Sequence, residues 1–290
     1  MGKTVLYVVN PISGNRNNRK RVEQELIETF GKGVFEVLET SGKNDAPRVK
    51  DVCDALHPDL LMVGGGDGTI RMVASALDKR SIPMGIIPLG SANGLAKCLG
   101  IDNLNDAVLA IKKGNTRKLD VLNINDEICL HLGDFGFNAG IVKKFEEEDE
   151  RGMISYFKSS LSQFMEMRPY RFEVKVDGIL YETEAKLLVI ANADKYGTGA
   201  IINPVGKIDD GVMEIISINP DGFEDMAALS FALFQGTLDQ ADNVQIWPAR
   251  EAEILNLDRA DFQIDGEVMQ TPEKVHVTCT ADQLTFYSMI

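Results

Sequence analysis

The chain has 290 residues, of which 44% are hydrophobic and 26% are charged, a composition typical of a globular protein with room for two domains. Its net charge of −14 excludes a general nucleic-acid-binding protein, which would carry a basic face, and argues against purely electrostatic adhesion to an anionic membrane. No stretch reaches the ~20 apolar residues of a membrane span, and the N-terminal apolar run is too short for a signal peptide. Four scattered cysteines without a C-x-x-C pair suit a reducing compartment. We therefore expect a cytoplasmic protein whose contact with a membrane is at most peripheral.

The first 119 residues alternate between strand-like and helix-like patterns. The strand segments are continuous runs of apolar and β-branched residues, whereas the helical segments repeat apolar residues every three to four positions. Strands are predicted at 4–9, 34–39, 59–63 and 83–87, and helices at 19–30, 47–56, about 70–77 and 106–113. This alternation predicts an α/β domain with a parallel sheet and helices on both faces.

The pattern changes after Asp120, where strands joined by short turns replace the alternation. We predict strands at 121–132, 170–176, 179–191, 211–218 and 261–264, with helices at 156–167 and 224–235. The sequence therefore predicts an α/β domain over residues 1–119 and a β-rich domain over residues 120–278.

A glycine-rich turn follows the strand predicted at 59–63. It reads Val63-Gly-Gly-Gly-Asp-Gly-Thr-Ile70 and leads directly into a predicted helix. Glycines let the backbone approach a polyphosphate without interference from Cβ atoms, and the N–H groups at a helix N-terminus supply positive potential. Asp67 suits this place if Mg²⁺ lies between its carboxylate and the phosphates, or if it accepts a proton from the attacking hydroxyl. The structural alternative is a tight turn in which Asp67 only caps the helix.

Two further loops follow other predicted strands. Pro88-Leu-Gly-Ser-Ala-Asn-Gly-Leu95 follows the strand at 83–87, and Asn10-Pro-Ile-Ser-Gly14 follows the first strand. Because ligands bind at the carboxyl ends of the strands in open α/β sheets, three such loops at one edge predict a nucleotide site. The chain has no G-x-x-x-x-G-K-[ST] motif and no G-x-G-x-x-G after the first strand, which excludes a Walker-type NTPase and disfavours a dinucleotide fold.

The three loops resemble the nucleotide-binding signatures of the diacylglycerol kinase catalytic-domain family, which includes bacterial lipid kinases and sphingosine kinases. The second half continues the resemblance in family order, through segments at 132–139, 156–177, 192–204, 207–212 and 265–267. The resemblance implies an N-terminal α/β nucleotide-binding domain of the NAD kinase and phosphofructokinase type, followed by a C-terminal β-sandwich. It also implies an active site in the cleft between the domains, and a segment near 279–290 that returns to the first domain.

The resemblance further implies ATP and Mg²⁺ as cofactors and a lipid, met transiently at a membrane surface, as the phosphate acceptor. No nucleic-acid partner and no transmembrane segment are expected, and formation of a homodimer stays open. The nucleotide would contact a set of loop residues: Asn10, Pro11, Ser13, Gly14, Thr40, Gly65, Gly66, Asp67, Gly68, Thr69, Ser91 and Asn93. The metal-binding set would comprise Asp67, Asp120, Asp210 and the backbone carbonyls of Lys207 and Val212.

Three carboxylates are candidates for the catalytic base: Asp265, Glu267 and Asp67. The resemblance places Asp265 and Glu267 in an Asp-Gly-Glu motif, whereas sphingosine kinases use the position that matches Asp67. Independently, an Asp-Gly-Glu turn after an apolar strand could present two carboxylates whose proximity raises one pKa toward that of a useful base. The structural alternative is an exposed hairpin turn, since Asp-Gly is a common turn pair.

Two positions depart from the family pattern. Gly94 stands where bacterial diacylglycerol kinases carry an Asp that helps to organise Mg²⁺, and Gly140 stands where sphingosine kinases carry an acid for the amino-alcohol headgroup. We therefore expect a diacylglycerol-like or long-chain-base lipid as acceptor, without a choice between the two. The alternatives are a soluble kinase of the NAD kinase or phosphofructokinase type, and a catalytically silent nucleotide-binding regulatory module.

Overall fold

The computed structural model describes residues 4–14, 16–31, 35–77, 81–136, 167–195 and 200–290. The helix predicted at 156–167, apart from its last residue, and Gly140 lie outside the described residues. The chain divides into two compact units, Met1–Leu119 with Asp282–Ile290 and Asp120–Ala281. None of the helices in the described ranges has the length and apolar content needed to cross a membrane.

The secondary-structure elements are numbered in chain order. The strands are β1 (Val5–Val9), β2 (Phe35–Glu39), β3 (Leu60–Gly65), β4 (Met84–Pro88), β5 (Thr116–Ile124), β6 (Glu127–Cys129), β7 (Leu132–Phe135), β8 (Tyr170–Val176), β9 (Ile179–Ala185), β10 (Leu187–Ala191), β11 (Met213–Ile218), β12 (Val244–Ala249), β13 (Glu251–Asn256), β14 (Phe262–Ile264), β15 (Glu267–Val268) and β16 (Lys274–Tyr287). The described helices are α1 (Arg16–Phe30), α2 (Asp45–Leu56), α3 (Asp67–Ala76), α4 (Gly94–Cys98), α5 (Leu104–Lys113) and α6 (Gly222–Gln235).

The first unit contains a parallel sheet in the order β2-β1-β3-β4. Val5 pairs with Phe35 on one side and with Leu60 on the other, and Leu61 pairs with Met84. Every residue of β1 and β3 is buried, as expected for continuous apolar strands that are covered on both faces. The carboxyl end of β16 joins this sheet beside β4. The predicted α/β class with a parallel N-terminal sheet is confirmed.

Local signals set the ends of the helices in this unit. Asn103 caps α5, because its side-chain oxygen accepts the N–H groups of Asn105 and Asp106 at 2.9 and 3.2 Å. The helix ends at Gly114, whose φ of +73° lies in the left-handed region that glycine adopts without strain. Helix α3 begins at Asp67 inside the glycine-rich turn, so its N-terminus is part of the loop predicted to meet phosphates.

The second unit is an antiparallel β-sandwich. One sheet has the order β12-β11-β10-β7-β14-β15, and it packs against strands β5, β6, β8, β13 and the amino-terminal part of β16. The buried rings of Phe135 and Phe262 lie 4.5 Å apart between centroids, and Phe172 lies 5.5 Å from Phe135. Helix α6 covers the outer face of the six-stranded sheet through Met226 and Leu229. The predicted C-terminal β-sandwich is confirmed.

Two predicted strands of this unit are divided in the structure. The segment at 179–191 forms β9 and β10, which belong to different sheets and separate at Lys186. The Lys186 N–H donates to the carbonyl of Ile218 at 3.0 Å. The segment at 121–132 is interrupted at Asn125, where φ is +53°, and continues as β6. The break at Lys186 carries no glycine or proline, so the local sequence pattern does not reveal it, whereas Asn125 and Asp126 are residues typical of tight turns.

We expect Phe135→Ala to lower the free energy of unfolding of the second unit by about 3–5 kcal/mol, because it removes a fully buried ring and leaves a cavity. Urea unfolding followed through Trp247, the only tryptophan of the chain and a residue packed against this core, measures the change. Phe231→Ala, at a ring that is 68% exposed, is the matched control and should change the value by less than about 0.5 kcal/mol. An equally stable Phe135→Ala protein would contradict this description of the core.

Candidate functional site

Two of the predicted loops touch through their glycines at the carboxyl edge of the parallel sheet. A Cβ atom added to Gly90 would lie 2.5 Å from the Cα of Gly66, and one added to Gly66 would lie 3.2 Å from the Cα of Gly90. The Leu89 N–H donates to the carbonyl of Gly65 at 3.1 Å, which extends the pairing of β3 and β4 into the loops. Because a side chain at either glycine would force the loops apart, main-chain atoms line this part of the edge.

The first loop and the end of β2 lie at the same edge. The Asn10 N–H donates to the carbonyl of Gly64 at 2.9 Å. The Thr40 N–H donates to the carbonyl of Val9, the last residue of β1, at 2.9 Å. Gly14, with φ of +73°, ends the first loop beside Leu89. The structure therefore brings together the predicted nucleotide-binding segments at 10–14, 40, 65–69 and 91–93. Their contact with a nucleotide stays a prediction.

Asp67 connects the two glycine loops. Its carboxylate accepts the backbone N–H of Gly94 at 2.8 Å and that of Leu95 at 3.0 Å, at the first turn of α4. Asp67 is itself the first residue of α3, so its side chain caps the neighbouring helix rather than its own. Gly94, which departs from the family pattern, is buried and acts here as a backbone donor to Asp67.

Asn93 shapes the second loop from within. It adopts a φ of +51°, its Oδ1 accepts the Gly90 N–H at 2.8 Å, and its Nδ2 donates to the Gly90 carbonyl at 2.7 Å. Left-handed backbone and a local side-chain bond are both typical of asparagine in tight turns. Ser91 is exposed beside it. Asn93 is therefore a positioning residue of this loop, whereas contact of the Ser91 hydroxyl with phosphate stays a prediction.

Asp45, which the sequence reasoning did not single out, orders the loop after Thr40. Its carboxylate accepts the N–H groups of Ser41 and Gly42 at 2.9 and 2.7 Å, and it pairs with Arg48 at 2.7 Å. Burial acts to raise the pKa of Asp45, but these hydrogen bonds together outweigh burial and hold the pKa below its usual range. The signal available in the sequence is an acidic residue at the start of a helix, where the helix dipole favours negative charge.

In the second unit, Asp265 and Gly266 form the two-residue turn between β14 and β15. Their φ values of +49° and +82° are those of a type I′ hairpin turn. The Asp265 carboxylate accepts the N–H groups of Leu130, His131 and Leu132 at 2.9, 2.9 and 3.1 Å. The hairpin turn considered as the structural alternative is therefore present, and a separate loop holds its aspartate in one orientation.

The two carboxylates of the Asp-Gly-Glu motif have different surroundings. Asp265 is partly buried against its loop, whereas Glu267 is exposed on β15. Gln263 secures the turn, because its Oε1 accepts the Gly266 N–H at 2.8 Å and its Nε2 donates to the buried Asp134. The three N–H groups of residues 130–132 fix the orientation of Asp265. Which of the two carboxylates accepts a proton stays a prediction.

The predicted metal-binding residues of the second unit surround the loop before β11. The buried Asp120 accepts the Gly211 N–H at 2.6 Å, and its own N–H donates to the Ile208 carbonyl at 2.9 Å. Asp210 is exposed and accepts the Val212 N–H at 3.1 Å. Within the described ranges, no three His, Cys, Asp or Glu side chains form a metal-binding group. The predicted structural site uses one carboxylate and two backbone carbonyls, and it stays a prediction.

The partly buried Cys279 and the buried Glu214 lie near these carboxylates, and both have raised pKa values. Partial burial, together with the carboxylates of Asp120, Asp210 and Glu214, raises the pKa of Cys279 to about 12. Burial also raises the pKa of Glu214, although the Asn203 amide, which donates to it at 2.6 Å, opposes that shift. The Cys279 thiol is therefore protonated at neutral pH and is not a nucleophile.

Asn192 connects the segment that carries Asp120 to the loop that binds Asp265. Its side chain is fully buried, and its Nδ2 donates to the carbonyl of Asp120 at 3.0 Å and to that of Leu130 at 2.9 Å. Leu130 belongs to the loop that binds Asp265. The sequence placed Asn192 at the start of a family-like segment, but its contacts depend on pairings 62 and 72 residues apart.

Two family models together match most of the chain. The diacylglycerol kinase catalytic domain matches residues 4–124, and the YegS C-terminal NAD kinase beta sandwich-like domain matches residues 134–286. A protein called probable lipid kinase YegS-like from Enterobacter sp. (strain 638) is 27% identical to this chain, and the alignment covers 88% of this chain and 87% of that protein. A protein of the same description from Citrobacter koseri is 29% identical, and the alignment covers 89% of each. The fold and the matched domains define a protein of a kinase family.

The chain belongs to the diacylglycerol kinase catalytic-domain family and carries the YegS-type C-terminal domain. The family resemblance drawn from the glycine loops is thus confirmed. Two solved chains from Bacillus anthracis str. Sterne align with TM-scores of 0.81 and 0.74 at 22% and 21% identity, and the second is described as a diacylglycerol kinase. Each alignment covers 99% of this chain and 97% of the other, and at this identity it shows the shared fold.

We expect Asp67→Asn to loosen the second glycine loop, because an amide presents one oxygen and one NH₂ to two backbone donors. The N–H of Gly94 or Leu95 then loses its acceptor, at a cost of about 1–3 kcal/mol in the free energy of unfolding. Hydrogen–deuterium exchange should become faster at these two amides. Ser91→Ala, at an exposed position of the same loop, is the matched control and should leave the exchange unchanged. Equal exchange in Asp67→Asn and the parent protein would rule out this capping role.

The lowered pKa of Asp45 predicts a pH-dependent contribution to stability. Because the folded pKa lies below the ordinary value of 3.8, the contribution is fully present above pH 3.8 and is lost as the pH falls through the folded pKa. Asp45→Asn should therefore be less stable than the parent at neutral pH, and the difference should shrink below pH 3.8. Urea unfolding over a pH series measures this, with Asp51→Asn on the exposed side of α2 as control. A difference that does not vary with pH would contradict the assignment.

Proposed function

We propose that this protein is an ATP-dependent lipid kinase that transfers the γ-phosphate of ATP to a hydroxyl of a diacylglycerol-like or long-chain-base lipid. The observation that carries the proposal is the contact between Gly66 and Gly90, which lines the carboxyl edge of the parallel sheet with main-chain atoms. Membership of a kinase family, and relatives called probable lipid kinases, support the same class of reaction. We place the protein in the cytoplasm, in transient contact with a membrane surface.

A nucleoside triphosphate fits the glycine edge of the first unit. The gap between the loops admits backbone but no Cβ atom, as the close approach of phosphates to main-chain N–H groups requires. The turn at 65–69 and Ser91 would hold the phosphates, while the loop at 10–14 and Thr40 would line the rest of the nucleotide pocket. Asp67 contributes by fixing the spacing of the two loops, since both its oxygens accept hydrogen bonds from α4.

Mg²⁺ that accompanies the nucleotide would neutralise the charge that develops on the phosphates during transfer. Carboxylates and backbone carbonyls are the protein ligands that Mg²⁺ prefers. Asp67 in the first unit and Asp120 in the second are each proposed as a Mg²⁺ ligand, and Asp210 with the carbonyls of Lys207 and Val212 would hold a separate structural ion. Burial raises the pKa of the nearby Cys279 most, and the carboxylates of Asp120, Asp210 and Glu214 raise it as well; carboxylates grouped in this way suit a cation at Asp210.

The acceptor hydroxyl is a weak nucleophile and needs a carboxylate that takes its proton as the new P–O bond forms and ADP departs. Asp265 is the first candidate for this role, because hydrogen bonds from residues 130–132 fix its orientation before any substrate arrives. Glu267 and Asp67 are the other candidates.

Phosphate transfer is tested with labelled ATP and Mg²⁺ on vesicles that present a diacylglycerol or a long-chain base, with NAD and a sugar phosphate as soluble acceptors. Transfer to a lipid supports the proposal. Transfer only to NAD or to the sugar phosphate would instead identify a soluble kinase. Binding of ATP without any turnover would identify a silent regulatory module.

Substitution of the proposed base refines the test. Asp265→Asn should reduce kcat by about 10²–10⁴-fold, the usual contribution of a general base, with little change in the affinity for ATP measured by calorimetry. Asp261→Asn, an exposed carboxylate just before β14, is the matched control and should keep full activity. Full activity in Asp265→Asn, together with its loss in Glu267→Gln, would transfer the role to Glu267.

A further inference from the structure

Helix α6 has apolar residues on two separate sides. Its inner side consists of Met226, Leu229 and Ala232, which are buried in the core on the outer face of the six-stranded sheet, and of Leu233, which is partly buried against the same core. This side is sufficient to anchor the helix to the second unit. The remaining apolar residues of α6 therefore need a different explanation.

The outer side of α6 carries three exposed phenylalanines. Phe223, Phe231 and Phe234 are 70%, 68% and 64% exposed. At about 100° per residue, they fall with Ala227 within an arc of about 80°, turned away from the inner side. The first and last of the three are about 16 Å apart along the helix axis. They form one stripe, which we call the Phe face.

A solvent-exposed helix normally places polar residues opposite its buried side, and a helix that is apolar all round is normally covered. Phenylalanine has the largest apolar side-chain area after tryptophan, so three exposed rings on one helix are costly to hydrate. Apolar patches of this kind mark sites where another apolar phase or surface binds. The Phe face thus indicates a partner.

The charges of α6 restrict the chemistry of that partner. The helix contains no lysine or arginine, and acidic residues Glu224 and Asp225 occupy its first turn, with Asp221 just before it. The net charge of the whole chain is −14. Attraction to anionic headgroups is therefore excluded as the driving force, and contact has to rely on apolar area. An electrically neutral lipid surface meets this requirement.

We propose that the Phe face is the membrane-docking surface of this protein and inserts its rings into the interface of zwitterionic or uncharged lipid. This inference rests on the proposed function, because a lipid kinase has to reach an acceptor that resides in a bilayer. The carboxyl end of α6 is tied to the rest of the unit, since the Ile201 N–H donates to the carbonyl of Leu233 at 2.8 Å. Ile201 lies six residues before Lys207, at the start of the loop that carries Asp210. Docking through α6 would thus place this loop near the lipid.

Binding of the full chain to phosphatidylcholine vesicles, with and without diacylglycerol, tests the surface. The triple variant Phe223→Ser, Phe231→Ser, Phe234→Ser should bind at least about tenfold more weakly than the parent, because it removes the apolar contact area. Raising the salt from about 0.1 M to about 1 M should not weaken binding of the parent, since the contact is not electrostatic. The matched control is Ile179→Ser, Leu180→Ser, at residues 60% and 57% exposed on the β8–β9 hairpin, which should bind like the parent.

A second variant makes the test independent of that triple change. In a Trp247→Phe background, Phe231→Trp places the single tryptophan on the Phe face, and its emission should shift to shorter wavelength when vesicles are added. An emission wavelength that does not change when vesicles are added would overturn the proposal. Equal vesicle binding by the triple variant and the parent would overturn it as well. A parent protein that is dimeric in sedimentation equilibrium, with a monomeric triple variant and no vesicle binding, would identify the face as a self-association surface instead.

Activity measurements separate this inference from the proposed function. On a short-chain diacylglycerol dissolved as monomers, the parent and the triple variant should have equal rates, whereas on vesicles only the parent should be fast. If no lipid is phosphorylated but vesicles still bind through the Phe face, the proposed function fails and the docking surface stands. If the triple variant is as active as the parent on vesicles, the docking surface fails and the kinase assignment stands.

Discussion

The close contact between Gly66 and Gly90 is the constraint on which the rest of the first unit depends. Two strands end side by side, and their loops can continue together only because neither glycine has a side chain. Asp67 then holds the arrangement, since its carboxylate reaches across to the first two N–H groups of α4. The result is an edge of main-chain atoms on a buried parallel sheet, which is the setting in which proteins bind phosphate groups.

In the second unit, as in the first, backbone N–H groups fix the orientation of the carboxylates. Backbone N–H groups of residues 130–132 hold Asp265, and the Gly211 N–H holds Asp120. Asn192 connects the two segments from a fully buried position. Carboxylates that are fixed by backbone donors keep their orientation at little further entropic cost when a substrate arrives. This rigidity suits a reaction in which positioning supplies most of the catalysis.

The lipid-kinase function proposed for this chain requires an acidic protein to bind at a membrane surface. A net charge of −14 opposes adhesion to anionic headgroups, and α6 carries no positive charge that would offset it locally. The exposed rings of Phe223, Phe231 and Phe234 provide an apolar contact that does not depend on charge. The membrane docking proposed for α6 would therefore depend on apolar contact and not on salt concentration.

Much of this protein could be predicted from the sequence, because the signals concerned are local. Continuous apolar strands that alternate with amphipathic helices determined the parallel sheet, and glycine-rich turns after three of those strands predicted a ligand site at its carboxyl edge. Only the tertiary structure decided which groups meet across long separations. The Asp67 carboxylate binds a helix 27 residues later, Asp265 binds amides more than 130 residues earlier, and the chain changes sheets at Lys186 without a glycine or proline. Hydrogen bonds of this kind, and the exposure of the Phe face, depend on how segments that are distant in sequence pack together. The periodicity of apolar residues along the chain does not predict that packing.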